Sequence, residues 1–162
     1  MATKLTKQQA ASLLADYQKR QTNAANASIA AYNKAVDADI AATVTDIKAE
    51  QQQARETADA AYDRAAIEAL IKRREIAETL SHLGLSRSGT ADSARESIER
   101  KRTVSENRAM ATKQKALSDL SQRLVTAREQ AAAKKTKNAA GVNKTLAGKI
   151  AEKKLTLDKA TL

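Results

Sequence analysis

Apolar residues recur every three or four positions along the first half of the chain, from Ile29 to Ala69. This spacing is typical of one face of an α-helix. Val36, Ile47, Ala58 and Ala69 stand eleven residues apart. A repeat of eleven residues corresponds to about 3.67 residues per turn, which favours straight or slightly right-handed helix packing over the left-handed heptad supercoil.

The second half carries a thinner pattern of the same period. Ala109, Leu120 and Ala131 are again eleven residues apart. Because matching periods allow two helices to pack along their whole length, the pattern predicts an all-α fold. We expect long helices that form an antiparallel helical hairpin and assemble as an oligomeric, coiled-coil-like bundle.

Signals for a helix end and a helix start lie close together between residues 80 and 96. Gly84 in the left-handed conformation, followed by Leu85 and preceded by Leu80, fits a Schellman ending. Ser93 and Glu96 have the spacing of a capping box. The prediction is therefore an N-terminal helical segment over 1–83, an interhelical turn over 84–92 and a second long basic helix over 93–137.

Three further features bear on the helix boundaries. Thr6 and Gln9 have capping-box spacing, which places the first helix start near residue 6. Residues 21–28 are rich in poor helix formers, so both a bend and a continuous helix are open there, and we favour a bend. Gly141 and Asn143 indicate a break over 137–143, followed by a short C-terminal helix over 143–160.

Alanine dominates the apolar composition, with 36 copies in 162 residues, and the chain has no Pro, Cys, Trp or Phe. Because alanine buries little surface, one chain alone would gain little burial energy, and we expect several copies to pack side by side as a homo-oligomer. The residues predicted to hold the helices and the oligomer together are the larger apolar ones: Ile40, Val44, Ile47, Tyr62, Leu80, Leu85, Ile98, Leu120 and Leu124.

The net positive charge of the chain comes entirely from the second half. Residues 1–85 contain eleven basic and eleven acidic residues, whereas residues 86–162 contain eighteen and eight, a net +10. This asymmetry favours an acidic partner, either a protein or nucleic acid. The second half has no aromatic residue, so any DNA contact is expected to be non-specific and made through phosphates, without base stacking. The candidate contact residues are Arg87, Arg100, Lys101, Arg102, Arg108, Lys134 and Lys135.

Residues for chemistry are scarce. His82 is the only histidine and there is no cysteine, so one chain offers no His- or Cys-based metal site. A tight turn explains Gly84 and Gly89 better than a phosphate-binding loop does. We therefore expect no enzyme activity and no catalytic, metal or cofactor-binding residues. No apolar run approaches the roughly 18 residues needed to span a bilayer, and no membrane span is predicted.

The residues before and within the turn resemble a pattern of helical virion structural proteins from tailed bacteriophages. The pattern is an R-x-x-A-E helix end followed by G-L, two residues and S-G, and its residues here are Arg74, Ala77, Glu78, Gly84, Leu85, Ser88 and Gly89. The resemblance implies a virion component with no catalytic residues.

This resemblance favours a place at the head–tail junction or in the tail, in contact with portal, connector or tail proteins. Assembly would take place in the host cytoplasm. Two alternatives remain open. One is an internal or ejected virion protein associated with the genome. The other is a cytoplasmic DNA-binding protein without sequence preference.

Overall fold

A computed structural model describes residues 5–161, which form two α-helices joined by a short turn. Helix α1 spans Lys7–His82 and helix α2 spans Gly89–Thr161, with no strand among the described residues. The two helices pack against each other, which confirms the predicted all-α hairpin. Residues 1–4 of the predicted N-terminal segment lie outside the described residues.

The chain divides into two compact units, each built from a stretch of α1 and a stretch of α2. The terminal unit comprises Met1–Thr43 and Val125–Leu162, and the central unit comprises Val44–Leu124. The central unit contains the turn.

The start of α1 is the predicted capping box. The backbone N–H of Thr6 donates to Oε1 of Gln9 at 3.0 Å, and the N–H of Gln9 donates to Oγ1 of Thr6 at 3.2 Å. These two bonds satisfy N–H groups that have no partner within the helix.

The end of α1 is the predicted Schellman motif. Gly84 has a φ of 70°, and it is the one described residue with a positive φ. The N–H of Leu85 donates to the carbonyl of Leu80 at 2.8 Å, and the N–H of Gly84 donates to the carbonyl of Ser81 at 3.1 Å. This is the six-to-one and five-to-two bonding that defines the motif. His82 lies in the last helical turn.

The start of α2 differs from the prediction. The helix begins at Gly89, so the connection covers residues 83–88 in place of 84–92. Ser88 forms the first turn, since its hydroxyl donates to the Leu85 carbonyl at 2.7 Å and its own carbonyl accepts from the N–H of Ala91 at 3.0 Å. The earlier start keeps Ala91, only 1% exposed, inside the helix.

The predicted capping box of Ser93 and Glu96 is therefore wrong. Both residues lie within α2, where no backbone N–H needs a capping side chain. Glu96 pairs instead with Arg100, one turn further along, at 3.1 Å.

The predicted break over 137–143 and the separate C-terminal helix over 143–160 are also wrong. Helix α2 is continuous through both, and Gly141 keeps a negative φ. Val142 and Leu146 are half-buried there and Leu157 is buried. This packing outweighs the cost of about 1 kcal/mol that a glycine adds to a helix interior. In α1, residues 21–28, where the sequence favours a bend, belong to one continuous helix, with Ala25 buried.

The eleven-residue repeat is the buried row of α1, and it is longer than the sequence pattern indicated. Ile47, 2% exposed, is its largest fully buried side chain. The row continues into the first turn of α2, and every member is buried: Ala25, Val36, Ile47, Ala58, Ala69, Leu80 and Ala91.

The left-handed turn residue gives the first testable prediction. We expect Gly84→Ala to lower the free energy of unfolding by about 1–2 kcal/mol, because a Cβ is strained at positive φ. The control is Gly148→Ala within α2, where an added Cβ meets nothing within 4 Å. It should stabilise the protein by up to about 1 kcal/mol. Urea unfolding at one protein concentration measures both, and equal stability of Gly84→Ala and wild type would contradict the turn assignment.

The buried row gives a second prediction. Ala58 is buried in this row, whereas Ala60, two residues on, is exposed. Ala58→Leu should lower the free energy of unfolding by about 1–3 kcal/mol, because the added volume is overpacked. Ala60→Leu should change it by less than about 0.5 kcal/mol. Thermal unfolding followed by circular dichroism compares the two, and similar melting of both variants would count against the row.

Candidate functional site

Basic side chains occupy the row of α2 that continues the eleven-residue repeat. From Ala91 onward the row contains both apolar and basic residues, and its members after Ala91 are half-buried or buried. Long basic side chains suit such positions because their methylene stems pack while the charged ends reach outward. The row consists of Ala91, Arg102, Lys113, Leu124, Lys135, Leu146 and Leu157.

In the central unit, ion pairs join the two helices. Nζ of Lys113 lies 2.8 Å from Oδ1 of Asp59, and Nη1 of Arg123 lies 2.6 Å from Oε2 of Glu50. A third pair joins Arg73 of α1 to Glu99 of α2 at 2.5 Å. As α1 runs forward from residue 50 to 73, its partners run backward from 123 to 99, so these pairs follow the antiparallel register.

Arg102 pairs within its own helix. Its Nε lies 2.6 Å from Oε1 of Glu106, and its Nη1 lies 3.8 Å from Glu99. The hydrogen bond and the negative charge of Glu106 raise the pKa of Arg102 above its ordinary value. This arginine is therefore held by its neighbours on α2.

In the terminal unit, two basic residues of α2 reach α1. Lys135 pairs with Asp37, and Nζ of Lys153 lies 5.7 Å from the centre of the Tyr17 ring, within cation–π distance. Two amide atoms between these pairs, Oδ1 of Asn33 and Nδ2 of Asn138, are buried and have no hydrogen-bond partner among residues 5–161.

The residues predicted to hold the helices and the oligomer together differ in how far their side chains are exposed. Ile47, Leu80, Ile98 and Leu120 are buried. The half-buried set is Ile40, Val44 and Leu124. Tyr62 and Leu85 are about 40% exposed, at 40% and 41%, so the hairpin itself does not cover them. Their contact with another copy stays a prediction.

The seven basic residues predicted to contact an acidic partner also fall into two groups, with and without a carboxylate partner among residues 5–161. Arg100, Arg102 and Lys135 have the carboxylate partners described above. The remaining four make no ion pair within the described part of the chain: Arg87, Lys101, Arg108 and Lys134. The sequence prediction treated all seven alike because it could not pair the acids of α1 with the bases of α2.

Each unit has an open groove between its two helices. The central groove, of about 780 Å³, is lined in part by small residues such as Ala54, Ala61 and Ala109. Its lining also carries both signs of charge, including Glu68 and Arg108. The terminal groove, of about 810 Å³, is lined by lysines and uncharged residues and by no carboxylate.

The two units differ in charge although each has 81 residues. The terminal unit contains fourteen basic and six acidic residues, a net +8, and the central unit contains fifteen and thirteen, a net +2. The positive excess therefore follows the terminal unit, which includes part of α1.

The units also differ in exposed apolar surface. Of the twelve large apolar side chains exposed among residues 5–161, eight belong to the central unit. Ile67, Leu70 and Ile71 are each more than half exposed. They stand three and four residues apart on α1, so they form one patch, called the apolar patch below.

Residues 5–161 contain no cluster of three or more His, Asp or Glu side chains suited to a metal ion. Within the same residues, neither helix has a stretch apolar enough to cross a membrane. Comparisons of the chain with family models, characterised proteins and solved structures find no match.

The interhelical ion pairs give a third prediction. Lys113→Glu places a like charge beside Asp59 and should lower the free energy of unfolding by about 1 kcal/mol, near the upper end for exposed pairs. The swapped double variant, Asp59→Lys with Lys113→Glu, should recover most of this loss. Lys115→Glu, exposed and without an ion pair in the described structure, is the control.

Urea unfolding at low salt and at about 1 M salt measures these differences, which should shrink at high salt because of screening. If the double variant is no more stable than Lys113→Glu alone, the register read from these pairs is wrong.

Proposed function

We propose that this protein is a non-enzymatic structural component of a tailed bacteriophage virion that works as a homo-oligomer of helical hairpins. Its place is the head–tail junction or the tail. The observation that carries the assembly role is the apolar patch, since exposed apolar side chains gathered in one place mark interaction surfaces.

The total accessible area supports assembly. The chain exposes 12202 Å², whereas a typical folded monomer of its 17.4 kDa exposes about 7,900 Å². Twelve apolar residues are buried among residues 5–161, and six of them are alanines. A helical pair with so little core gains most by packing against further helices.

The virion assignment is supported by the turn motif. Arg74 pairs with Glu78 at 3.0 Å in the last turns of α1, and Gly84, Leu85 and Ser88 supply the bonds that close the turn. The residues that resemble the bacteriophage pattern thus serve the reversal of the chain, a structural role that suits a virion component.

Assembly through the apolar patch gives a fourth prediction. The purified protein should have a mass that is a multiple of 17.4 kDa. Leu70→Asp should shift this mass toward that of one chain, because a charge would replace an apolar contact. Leu13→Asp is the matched control, since Leu13 is exposed in the terminal unit. Ile47→Asp is unsuitable, because Ile47 is buried within the hairpin itself.

Sedimentation equilibrium over a range of concentrations measures the mass of each variant, and circular dichroism checks that helix content is kept. A wild-type monomer, or equal dissociation of both Leu→Asp variants, would contradict assembly through the patch. The virion assignment has a separate test. Mass spectrometry of purified particles of the bacteriophage that encodes the chain should detect it at a fixed copy number.

A further inference from the structure

In the terminal groove, unpaired lysines face a common cleft whose lining contains no carboxylate. Lys134, Lys137 and Lys149 line it from α2, and none has an ion-pair partner among residues 5–161. The central groove, by contrast, includes Glu50, Glu68 and Asp119 in its lining. A cleft walled by one sign of charge concentrates its field on a ligand of the opposite sign.

Uncharged donors in the same groove suit oxygen acceptors. Asn138 lines the groove, and its Nδ2 is buried and has no partner within the described part of the chain. Thr145 and Gln21 add a hydroxyl and an amide to the lining.

An aromatic side chain enters this groove from the other helix. Tyr32 of α1 lines it and is 38% exposed. The second half of the sequence has no aromatic residue, and the expectation of phosphate contact without stacking rested on that absence. Because the hairpin brings α1 beside α2, the basic helix has an aromatic ring in its groove after all.

We propose that the terminal groove binds single-stranded nucleic acid, with Lys134, Lys137 and Lys149 on the phosphates and Tyr32 against a base. This combination of a basic track and an exposed ring is how proteins bind single strands without sequence preference. A duplex would offer phosphates to the lysines but no base face to Tyr32. An acidic protein would likewise leave the ring without a stacking partner.

The inference goes beyond the assembly role and does not depend on it, because the groove and the apolar patch belong to different units. It also distinguishes two groups of lysines in the terminal unit, those that pack the helices and those that are available to a ligand. Lys135 and Lys153 are held by Asp37 and Tyr17 of the same unit, so they pack the helices, whereas the three groove lysines remain available to a ligand.

The test is fluorescence anisotropy with a labelled oligothymidylate of about 20 nucleotides, a length within reach of one or two such sites. Binding by the wild-type protein should weaken as salt rises, because each phosphate contact to a single strand adds about 0.7 to the slope of log K against log salt. The triple variant Lys134→Gln, Lys137→Gln, Lys149→Gln should flatten that slope by about 2.

The control triple variant is Lys19→Gln, Lys34→Gln, Lys154→Gln. These lysines belong to the same unit, are exposed and lie outside the groove lining. Both triple variants remove the same charge, so a diffuse electrostatic effect would weaken binding equally. The groove predicts that the control keeps the wild-type slope to within about 0.5, less than one phosphate contact.

Tyr32 separates a single strand from a duplex. Tyr32→Ala should weaken oligothymidylate binding by about fivefold or more, the lower end for losing one stacked base, while Tyr32→Phe should keep it. Binding of a duplex of the same length should not respond to either change. Circular dichroism of each variant verifies that the helices are intact.

Four results would overturn the proposal. They are an absence of oligothymidylate binding at about 50 mM salt, where phosphate contacts are strong, equal losses in the two triple variants, no effect of Tyr32→Ala, and competition by polyglutamate as effective as that by the oligonucleotide. The last result would assign the groove to acidic proteins. None of these outcomes bears on the mass of the protein, so assembly and nucleic-acid binding are judged separately.

Discussion

Close packing of small side chains at a spacing of eleven residues is the constraint on which the two-helix structure depends. Alanine at half of the buried positions lets the helix backbones approach, but each buried alanine contributes little burial energy. Stability is therefore spread along the length of the helices and is not concentrated in a central core. The turn makes this spread possible, because Gly84 ends α1 at His82 and a six-residue connection, residues 83–88, returns the chain. The row of α1 then carries on through Ala91 into α2 in the same period.

Charged residues share this row in α2, which explains how a basic helix packs along its whole length. Lys113 and Lys135 occupy row positions, and each reaches a carboxylate of α1. Such exposed pairs contribute little stability individually, about 0–1 kcal/mol each. Their larger effect is on register, since a shift of one helix along the other would separate all of them together. Carboxylates in the neutral first half of the sequence thus pair with basic side chains in the second half. The net positive charge is distributed unevenly between the two units.

Local signals in the sequence predicted the structure well where the decisive atoms are close in sequence. The capping box at Thr6 and the Schellman ending at Gly84 involve residues at most five apart, and both form as predicted. Prediction failed where packing between helices decided the outcome. Gly141 indicated a break, but the surrounding apolar positions keep α2 helical. Ser93 had a capping pattern, yet burial of Ala91 accompanies an earlier start. Tyr32 could not be assigned to the basic groove from sequence, because its neighbours there are more than one hundred residues away.

The same hairpin pattern thus supports two different surfaces. In the central unit the charges nearly cancel and large apolar side chains point outward, a composition that favours contact with other protein surfaces. In the terminal unit the helices keep a net +8 and an acid-free groove. Because the buried positions, half of them alanines in each unit, hold the helices together, the exposed positions can vary without disturbing the packing. In this long alanine-rich hairpin, the buried residues that hold the helices together are therefore distinct from the exposed residues that the protein presents to its partners.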